Sequence, residues 1–514
     1  MIVFEAWDRN SSLRRLETRR SLKDDEIDDF VALLDCLSSF IPREVEDDRR
    51  WTMEPSGLFS GISSRLDFSD CKDIIKKKAE SHSIDCFSLN AFLTEDDINK
   101  IMLSWGDIRN SILYVISSEK KDDINKLIDH GWLVVVLNVQ DDIACENLGM
   151  ICISKLEELP LSICRLNRKA VDCSLLVIGY TMKPSRELDF AKRGAFPLYP
   201  TENGLIFMPL TFELPLPSQL PEVDVILHKA TDEILFVELS NFSDLSNKVT
   251  YSSRMQELQR YIEVHSDLCV VDPLNNIQPV LDRLEIQQIL LRLEEALKSE
   301  GCMIRGPHFL KVGNFNEANL VQNLSEAKLS LPCIVKPQVA CGVSDAHKMA
   351  IIFKVEDLKN LNVPLPAIIQ EYVDHSSTLY KFYVLGEKIF YAVKKSTPNI
   401  STLINLNQSD KLGPLVFDSL KSLPIADGSQ QLEGKKDKDI NLELIQNSAN
   451  WLRRVLDLSI FGFDVVVEDE SGDHVIVDVN YLPSFKEVPD GIAIPAFWEA
   501  IKNKENNLDA IIFW

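Results

Sequence analysis

Two segments near the C-terminus show the alternation of apolar and polar residues that predicts paired β-strands. The first runs from Phe463 to Glu468, and the second, from His474 to Val479, is rich in β-branched residues. Between them, Glu470-Ser471-Gly472 has the length and the glycine of a hairpin loop. The pattern predicts a β-hairpin, called the acidic hairpin below.

The register of this hairpin decides where its acidic side chains point. If Asp469 pairs with Asp473 across the loop, Asp464 lies directly opposite Asp478, and Asn480 points to the same face. Two facing carboxylates repel each other, and a divalent cation removes the repulsion. Ligands that are all oxygen atoms, without cysteine or clustered histidine, favour magnesium. The alternative is an edge hairpin whose acidic side chains only meet solvent.

Further strands and one helix are predicted upstream of the acidic hairpin. One strand carries Lys336, and a later apolar strand turns polar at its end, as a hinge that offers backbone groups to an adenine edge would. A two-residue turn, Gly386-Glu387, joins two strands into another hairpin. The predicted strands cover 332–337, 349–353, 367–373, 379–385 and 388–394, a loop covers 340–348, and the helix covers 442–456.

The first 170 residues predict a small α/β domain. An apolar strand is followed by a helix that ends at Gly131 and by a second apolar strand, which makes a βαβ unit. A further strand and helix repeat the pattern, so a doubly wound domain is expected. The strands cover 111–116, 132–138 and 150–153, the helices 24–40, 121–130 and 156–166, and a charged linker 43–50.

The first of these strands and the helix and strand that follow it resemble the haloacid dehalogenase phosphatases. That family implies an Asp-x-Asp nucleophile after its first strand, and Ile2-Val3-Phe4-Glu5-Ala6-Trp7 does not contain one. The resemblance therefore implies a Rossmann-like domain of this type, and the missing nucleophile predicts that the domain is noncatalytic.

A second α/β layer is predicted between residues 174 and 282. Strands are expected at 175–180, 223–229 and 268–271 and a helix at 255–265. From Arg283 to Ser299, apolar residues recur at helical spacing, which predicts an amphipathic helix that packs on the core. The apolar positions of this helix are Ile286, Ile289, Leu290, Leu293 and Ala296. Within the α/β layer, an irregular loop is indicated by Pro209, Pro215, Pro217 and Pro221.

Composition and charge narrow the possible partners. The chain has 514 residues and a formal net charge of −24, which argues against nonspecific binding to nucleic acid or to an anionic membrane. From 331 to 400, however, lysine and arginine outnumber aspartate and glutamate, so a local basic pocket can hold a polyanion. The 11 cysteines are scattered without zinc spacing, and no signal peptide or membrane-spanning run is visible. A cytoplasmic protein with reduced cysteines is expected, with the nucleus as the alternative location.

The order of the later elements is the ATP-grasp arrangement: a strand with a lysine, a loop, a hinge strand, a hairpin with a lysine, a helix and the acidic hairpin. Over residues 175–489 the chain resembles the inositol tetrakisphosphate 1-kinase family, also called inositol 1,3,4-trisphosphate 5/6-kinases, in a plant-like long form with an extra N-terminal domain. The motifs that carry the resemblance are His228-Lys229-Ala230-Thr231-Asp232, Val271-Asp272-Pro273-Leu274, Leu281-Asp282-Arg283, Val335-Lys336-Pro337, His347-Lys348-Met349, Gln370-Glu371-Tyr372-Val373-Asp374-His375, Tyr380-Lys381-Phe382-Tyr383-Val384 and Val477-Asp478-Val479-Asn480-Tyr481-Leu482-Pro483.

The resemblance implies a role for each matching position. Two magnesium ions are implied at Asp464, Asp478 and Asn480, and His347 and Lys381 are implied as catalytic residues. ATP binding is implied for Arg283, Lys336, Gln370, Glu371, Tyr372, Val373, Lys381, Ser396, Ser419 and Ser422. Inositol phosphate binding is implied for Lys183, Arg186, Lys229, His347, Lys381, Asn480 and Ser484.

Three of these residues also have a simpler interpretation from the sequence alone. His347 fits a surface loop, Lys229 fits a solvated charge at the end of a strand, and Arg283 fits a partner for Asp282 at the start of a helix.

The chain also departs from the family pattern near the implied substrate contacts. Arg186 stands where the family usually has a second lysine, and Ser484-Phe485 replaces a usual Gly-Tyr. Cys341 and Asp345 alter the segment before His347, which is usually rich in glycine. These differences leave the ATP and magnesium chemistry in place and open the question of which substrate is used.

The sequence therefore predicts an ATP-dependent kinase that phosphorylates a hydroxyl of an inositol tris- or tetrakisphosphate. Its predicted domains are residues 1–170, 174–282 and 283–514. It is expected to be a monomer that binds inositol polyphosphates and ATP, without nucleic acid or membrane partners. Two alternatives remain: an ATP-grasp carboxylate–amine ligase, which would share Lys336 and the acidic hairpin, and a noncatalytic inositol phosphate-binding scaffold.

Overall fold

The computed structural model describes residues 2–5, 86–89, 113–117, 128–129, 133–137, 150–170, 175–198, 200–239, 248–298, 303–407, 413–421 and 440–512. The chain forms two compact units, residues 1–228 with 267–269 and residues 229–266 with 270–514. This grouping differs from the predicted division at 170 and 282, which stays a prediction. Across the described ranges, helices are too short or too polar to span a lipid bilayer.

The first unit contains the predicted α/β domain. Its sheet is parallel throughout, and Val134, Val135 and Val136 are fully buried because the middle of a parallel sheet is covered on both faces. The strands lie in the spatial order Cys86–Leu89, Ile2–Glu5, Leu113–Ser117, Leu133–Leu137 and Met150–Ile153, followed in the chain by a 3-10 turn, Leu156–Glu158, and the helix Leu159–Ala170. The predicted helix 24–40, the linker 43–50 and most of the predicted helix 121–130 lie outside the described residues.

A second parallel sheet completes the first unit. Its core includes Tyr180 stacked on Phe196, with ring centroids 4.1 Å apart. Its strands are Leu176–Thr181, Leu205–Pro209 and Val225–His228, its helix is Pro184–Lys192, and Cys269 adds the start of the strand Cys269–Val271.

The prediction of an irregular proline-rich loop is wrong in part. Pro209 ends a strand, Leu205–Pro209, that the sequence did not predict. Pro217 and Pro221 lie in the first turns of a short helix, Leu216–Gln219, and of a 3-10 helix, Leu220–Glu222. Proline is compatible with the first turn because the backbone N–H there has no helical acceptor.

The second unit begins with short elements and the predicted amphipathic helix. That helix spans Arg283–Ala296, and Asp282 caps it by accepting a hydrogen bond from Leu284 N at 2.8 Å. Four of its five predicted core residues are buried, whereas Ala296 is exposed in the last turn. The other elements are the 3-10 turn Ala230–Glu233, the antiparallel strands Ile234–Glu238 and Lys248–Tyr251, and the helices Ser253–Val264 and Gln278–Leu281.

Two five-stranded sheets form the rest of the second unit. The lysine sheet is antiparallel and has the order Phe309–Val312, Ala367–Glu371, Cys333–Pro337, Lys348–Ile352 and Leu415–Asp418. The acidic sheet has the order Ile304–Arg305, His474–Tyr481, Ile460–Val467, Thr378–Leu385 and Lys388–Lys395. The helices are Leu320–Glu326, Ile400–Asn407, Leu442–Leu456 and Asp490–Ile512, with a 3-10 helix at Val355–Asn360.

The turn of the acidic hairpin differs from the predicted one. Glu468 N donates to Asp473 O at 2.9 Å, so Asp473 is paired with Glu468 and not with Asp469. The strands that flank the turn end at Val467 and begin at His474. This difference by itself would move every later pair by one residue and turn the acidic side chains to opposite faces.

A β-bulge further along the hairpin restores the predicted pairing. The register shifts between Asp464 and Val465, and Val477 is left as the extra residue. Asp464 is therefore opposite Asp478, as predicted. Two one-residue differences cancel, and the predicted pair is confirmed although the predicted turn is wrong.

Four of the described cysteines, Cys164, Cys269, Cys333 and Cys341, form no disulfide bond. Cys152 takes part in a disulfide bond, so the expectation of reduced cysteines is wrong at that position. Spacing along the chain does not reveal such a bond, because pairing depends on distance in the folded chain.

Candidate active site

The acidic hairpin and the neighbouring strand place four polar side chains on one face of the acidic sheet. Asp464 and Asp478 are cross-strand partners, and Asn480 follows Asp478 on the same face. Asn480 Nδ2 donates to Asp478 Oδ2 at 3.1 Å. Lys381, opposite Asp464 on the next strand, brings its Nζ to 3.6 Å from Asp464 Oδ2. The predicted metal ligands and one predicted catalytic residue are therefore brought together.

The carboxylates of this face are suited to a divalent cation. Burial raises the pKa of Asp464 to about 7, with Lys381 opposing and Asp478 adding to the rise. A buried pair of carboxylates is stabilised by a cation that takes oxygen ligands, and the Asn480 carbonyl is a third donor. The described residues contain no cluster of three His, Cys, Asp or Glu side chains that could hold a metal ion. The donor set fits magnesium, with an amide completing the carboxylate pair.

Lys336 approaches this face from the lysine sheet. It lies near the end of the strand Cys333–Pro337, and its Nζ donates to Val477 O on the acidic hairpin at 3.2 Å. Burial lowers its pKa to about 8, although Asp478 and Asp464 act in the opposite direction. A buried ammonium group thus stands beside the two carboxylates, where it can neutralise phosphate charge.

Arg283 uses its guanidinium group mainly to hold a loop. Nη1 donates to the carbonyl oxygens of Pro337 at 2.6 Å, Val339 at 2.9 Å and Ala346 at 3.3 Å, and Nη2 donates to that of Ala340 at 3.3 Å. Burial lowers the pKa of Arg283. These contacts set the path of the segment that leads to His347, a function that the sequence did not predict for Arg283.

His347 and Ser419 meet at the edge of the lysine sheet. His347 Nδ1 lies 3.3 Å from Ser419 Oγ, and Ser419 N donates to His347 O at 3.0 Å. Burial and the nearby Arg283 lower the pKa of His347, which favours the neutral form of its imidazole. His347, implied for inositol phosphate binding, and Ser419, implied for ATP binding, are therefore in contact. Ser422, also implied for ATP binding, lies outside the described residues.

The carboxylate of Glu371 in the hinge strand is already paired. Arg305 donates to both of its oxygens, at 2.8 and 3.0 Å, and also contacts Glu468 at 3.2 Å and Asp473 at 3.5 Å. Burial would raise the pKa of Glu371, but the hydrogen bonds from Arg305 and from His308 N outweigh it and lower the pKa. Sequence reasoning missed Arg305, because it lies in a two-residue strand that shows no periodicity.

The other hinge residues form an apolar surface with few polar groups. Val373 packs against Val466 and Val475, and Tyr372 donates its hydroxyl to Pro398 O at 2.6 Å. Ser396 is buried, and its N donates to Ser377 O at 2.8 Å. Apolar packing of this kind is typical of the side chains that support a purine site.

A small cavity of about 10 Å³, enough for one water molecule, lies between the hinge strand, the helix Arg283–Ala296 and the acidic hairpin. Gln370 and Gln287 line it, and the side-chain Oε1 atom of each is buried without a hydrogen-bond partner. Asp478 and Arg283 also line the cavity. Buried acceptors that lack a partner are costly, so a donor such as a water molecule is expected at this position. Sequence reasoning missed Gln287, because a glutamine within a predicted amphipathic helix carries no signal of a buried polar site.

The residues implied for inositol phosphate are divided between the two units. Lys229 is buried, donates from Nζ to Tyr481 O and lies 4.8 Å from the centre of the Tyr481 ring. Ser484 stands between Leu482 and Phe485, whose φ angles of 39° and 38° are left-handed. The remaining two belong to the first unit, where Lys183 is exposed and Arg186 half-buried. The binding roles of all four stay predictions.

Comparisons with known proteins agree with both parts of the predicted fold. The profile described as ITPK4, N-terminal HAD-like domain, matches residues 52–169, and the profile described as the inositol 1,3,4-trisphosphate 5/6-kinase ATP-grasp domain matches residues 299–496. The predictions of a haloacid dehalogenase-like domain and of an ATP-grasp fold are thereby confirmed.

Whole-chain relatives show the same assignment. Inositol-tetrakisphosphate 1-kinase 6 of Oryza sativa subsp. indica is 49% identical over 432 residues, which cover 83% of this chain and 78% of the relative. Inositol-tetrakisphosphate 1-kinase of Danio rerio is 30% identical over 296 residues, which cover 56% of this chain and 69% of the relative. With this similarity extending over most of its length, the chain belongs to the inositol-tetrakisphosphate 1-kinase family.

Proposed function

We propose that this chain is an ATP-dependent kinase that transfers the γ-phosphoryl group of ATP to a hydroxyl of an inositol polyphosphate. The observation that carries the proposal is the meeting of Lys336 and Lys381 with the facing carboxylates of Asp464 and Asp478. Phosphoryl transfer requires charge neutralisation and positioning more than covalent catalysis, and this set of side chains provides both.

We assign some residues of the site to binding of the nucleotide and others to binding of the inositol phosphate. The hinge surface around Val373 would hold the purine, and Lys336 would contact the phosphates. Lys381 stands beside Asp464, where it can bind a phosphate oxygen of either reactant. Magnesium ions, two in our proposal, would be held by Asp464, Asp478 and Asn480 and would neutralise phosphate charge.

His347 takes a different part from that of a fixed cation. Its neutral imidazole can accept a hydrogen bond from an inositol hydroxyl or donate one to a phosphate, whereas a permanently charged group could only donate. Its contact with Ser419 fixes the ring position. A helper role at the attacking hydroxyl is therefore compatible with its surroundings.

The experiment that tests the proposal is a product analysis. The full chain is incubated with ATP, magnesium and a panel of inositol tris- and tetrakisphosphates, and the products are separated by anion-exchange chromatography. Transfer to at least one panel member is expected. ADP formation that requires amino acids would instead support the ligase alternative, and binding without any turnover would support a scaffold. A monomeric state and a cytoplasmic location complete the proposal, to be checked by light scattering and by imaging.

Replacing Lys336 with methionine should lower kcat by about a hundredfold. The change removes the buried cation that would contact the transferred phosphate and keeps an unbranched side chain that is one atom shorter. Lys348→Met is the matched control, because Lys348 lies on the same sheet and its ammonium group pairs with Asp345 at the surface. The activity of both variants is measured by steady-state kinetics. Equal losses of activity in the two variants would contradict the role assigned to Lys336.

A further inference from the structure

The metal-binding face of the acidic sheet continues past Lys381 to Tyr383. Successive side chains on one face of a strand are two residues apart, so Lys381 and Tyr383 share a face. Across the sheet, Tyr383 is opposite Gly462, and Gly462 is opposite Asn480. On this face, Tyr383 and Asn480, a proposed ligand of metal and substrate, are thus separated by a single strand, which has Gly462 at this position.

A carboxylate from a later segment occupies this part of the face. Tyr383 donates its hydroxyl to Glu487 Oε2 at 2.5 Å, and Lys394 Nζ is ion-paired with Glu487 Oε1. The side chains of Lys394 and Glu487 are 38% and 21% exposed, so solutes can reach the pair. Burial would raise the pKa of Glu487, but hydrogen bonds from Lys394 and Tyr383 outweigh it and lower the pKa to about 2. The carboxylate is thus ionised at neutral pH.

A packed turn holds Glu487 in this place. The chain leaves the strand His474–Tyr481 and turns through Leu482 and Phe485, both in the left-handed region. Phe485 is fully buried and packs against Phe497, with ring centroids 5.5 Å apart. Val488 N donates to Phe485 O at 3.1 Å. Because the turn is anchored by a buried aromatic residue, the position of Glu487 is set by the fold.

The donors that contact Glu487 are of the kind that bind phosphate. A phenol hydroxyl and an ammonium group that converge on one anion can bind two phosphate oxygens as readily as two carboxylate oxygens. Here the chain supplies the anion itself. A phosphate brought to this edge would meet the fixed negative charge of Glu487, whereas a hydroxyl could donate a hydrogen bond to it.

We propose that Glu487 is a specificity-determining residue, which fills the Tyr383 and Lys394 donor pair and thereby selects inositol phosphates that present a hydroxyl at this edge. The proposal rests on the proposed function, since it concerns the substrate of that same site. It also gives a physical reason for discrimination by the number of phosphate groups: each added phosphate that reaches this edge is disfavoured.

The test compares the wild-type chain with Glu487→Gln, which removes the charge and keeps the shape. Binding of inositol tris-, tetrakis- and pentakisphosphates is measured by calorimetry, and KM and kcat are measured for each turned-over substrate and for ATP. In the variant, Lys394 is released to bind phosphate, so affinity for the pentakisphosphate should rise about fivefold relative to the trisphosphate. The KM for ATP should not change.

Two further variants separate selection from general damage. Glu499→Gln removes the carboxylate from another ion pair of the same strand, Lys388 with Glu499, and should leave the ratio unchanged. Lys394→Met leaves Glu487 without its cation and should move the ratio in the opposite direction, which keeps the test available if the Glu487 variant fails to fold. An equal shift for all ligands, or no shift in either variant, would overturn the proposal. If the ratio shifts while the wild-type chain phosphorylates no panel member, the kinase assignment fails and the selectivity stands.

Discussion

Replacing Asp478 with asparagine should lower kcat for phosphoryl transfer by about a thousandfold, the largest effect expected on activity. Asp478 faces Asp464, accepts a hydrogen bond from Asn480 and carries one of the two negative charges that would hold magnesium. Asparagine has nearly the same shape, so the loss reflects charge and not packing. Single-turnover assays at saturating ATP and magnesium measure the effect directly.

A second measurement separates metal binding from catalysis in this variant. Magnesium should raise the melting temperature of the wild-type chain, because a ligand that binds the folded state stabilises it, and should raise that of Asp478→Asn much less. Glu470→Gln is the matched control, since Glu470 is an exposed carboxylate in the turn of the same hairpin. An Asp478→Asn variant that kept more than about a tenth of the wild-type activity would contradict the site.

Replacing Arg305 with methionine should lower the free energy of unfolding by about 3–5 kcal/mol, the largest effect expected on stability. Arg305 is 9% exposed and pairs with three carboxylates, those of Glu371, Glu468 and Asp473. The substitution leaves these charges partly buried and without their shared cation. Chemical denaturation of the two proteins at pH 7 measures the difference.

The pH dependence of that difference has a definite sign. In the folded chain the pKa of Glu371 lies below its ordinary 4.5, so its stabilisation is present above pH 4.5 and is lost as the pH falls through the lowered value. Without Arg305 the largest cause of the lowered pKa is lost, and the hydrogen bond from His308 N remains to oppose the effect of burial. The stability deficit of Arg305→Met should therefore be largest near neutral pH and should shrink as the pH falls below 4.5.

Two other arginine substitutions serve as controls. Arg305→Lys keeps the charge but lacks the planar fork of N–H groups that contacts three carboxylates at once, so its stability should lie between that of the wild-type chain and that of the methionine variant. Arg453→Met breaks a contact of 3.8 Å with Glu387, which is 81% exposed, and should change stability little. Equal losses in Arg305→Met and Arg453→Met would contradict a structural role for the Arg305 cluster.

The acidic hairpin shows how far sequence reasoning reached. Alternation and a loop with glycine predicted two strands, and the observed strands begin and end within a few residues of the predicted ends. The bulge at Val477 left no trace in the sequence, because a bulge changes which residues face each other without changing their types. The pair Asp464 and Asp478 was predicted correctly through two differences that cancelled.

Arg283 and Lys229 make contacts that sequence reasoning did not predict. Their positions and their place in family motifs indicated cations that contact phosphate. The fold surrounds the Arg283 guanidinium with carbonyl oxygens that lie 54 to 63 residues further along the chain. Lys229 donates to the carbonyl of Tyr481, 252 residues away. Neither partner could be read from local spacing, because backbone carbonyls occur at every residue.

The sequence by itself determined the order of elements, the alternation that places acidic residues on one face, and the motifs that assign the family. These properties depend on neighbouring residues and on short periods of two or 3.6, which a linear chain displays. Only the tertiary structure decided which charged groups remain for a substrate: Arg305 is taken by three carboxylates, and Lys394 by Glu487. Those pairings join segments that are far apart in the chain; Arg305 and Glu468, for example, are separated by 163 residues. Their energies depend on distance and burial in space, quantities that folding creates.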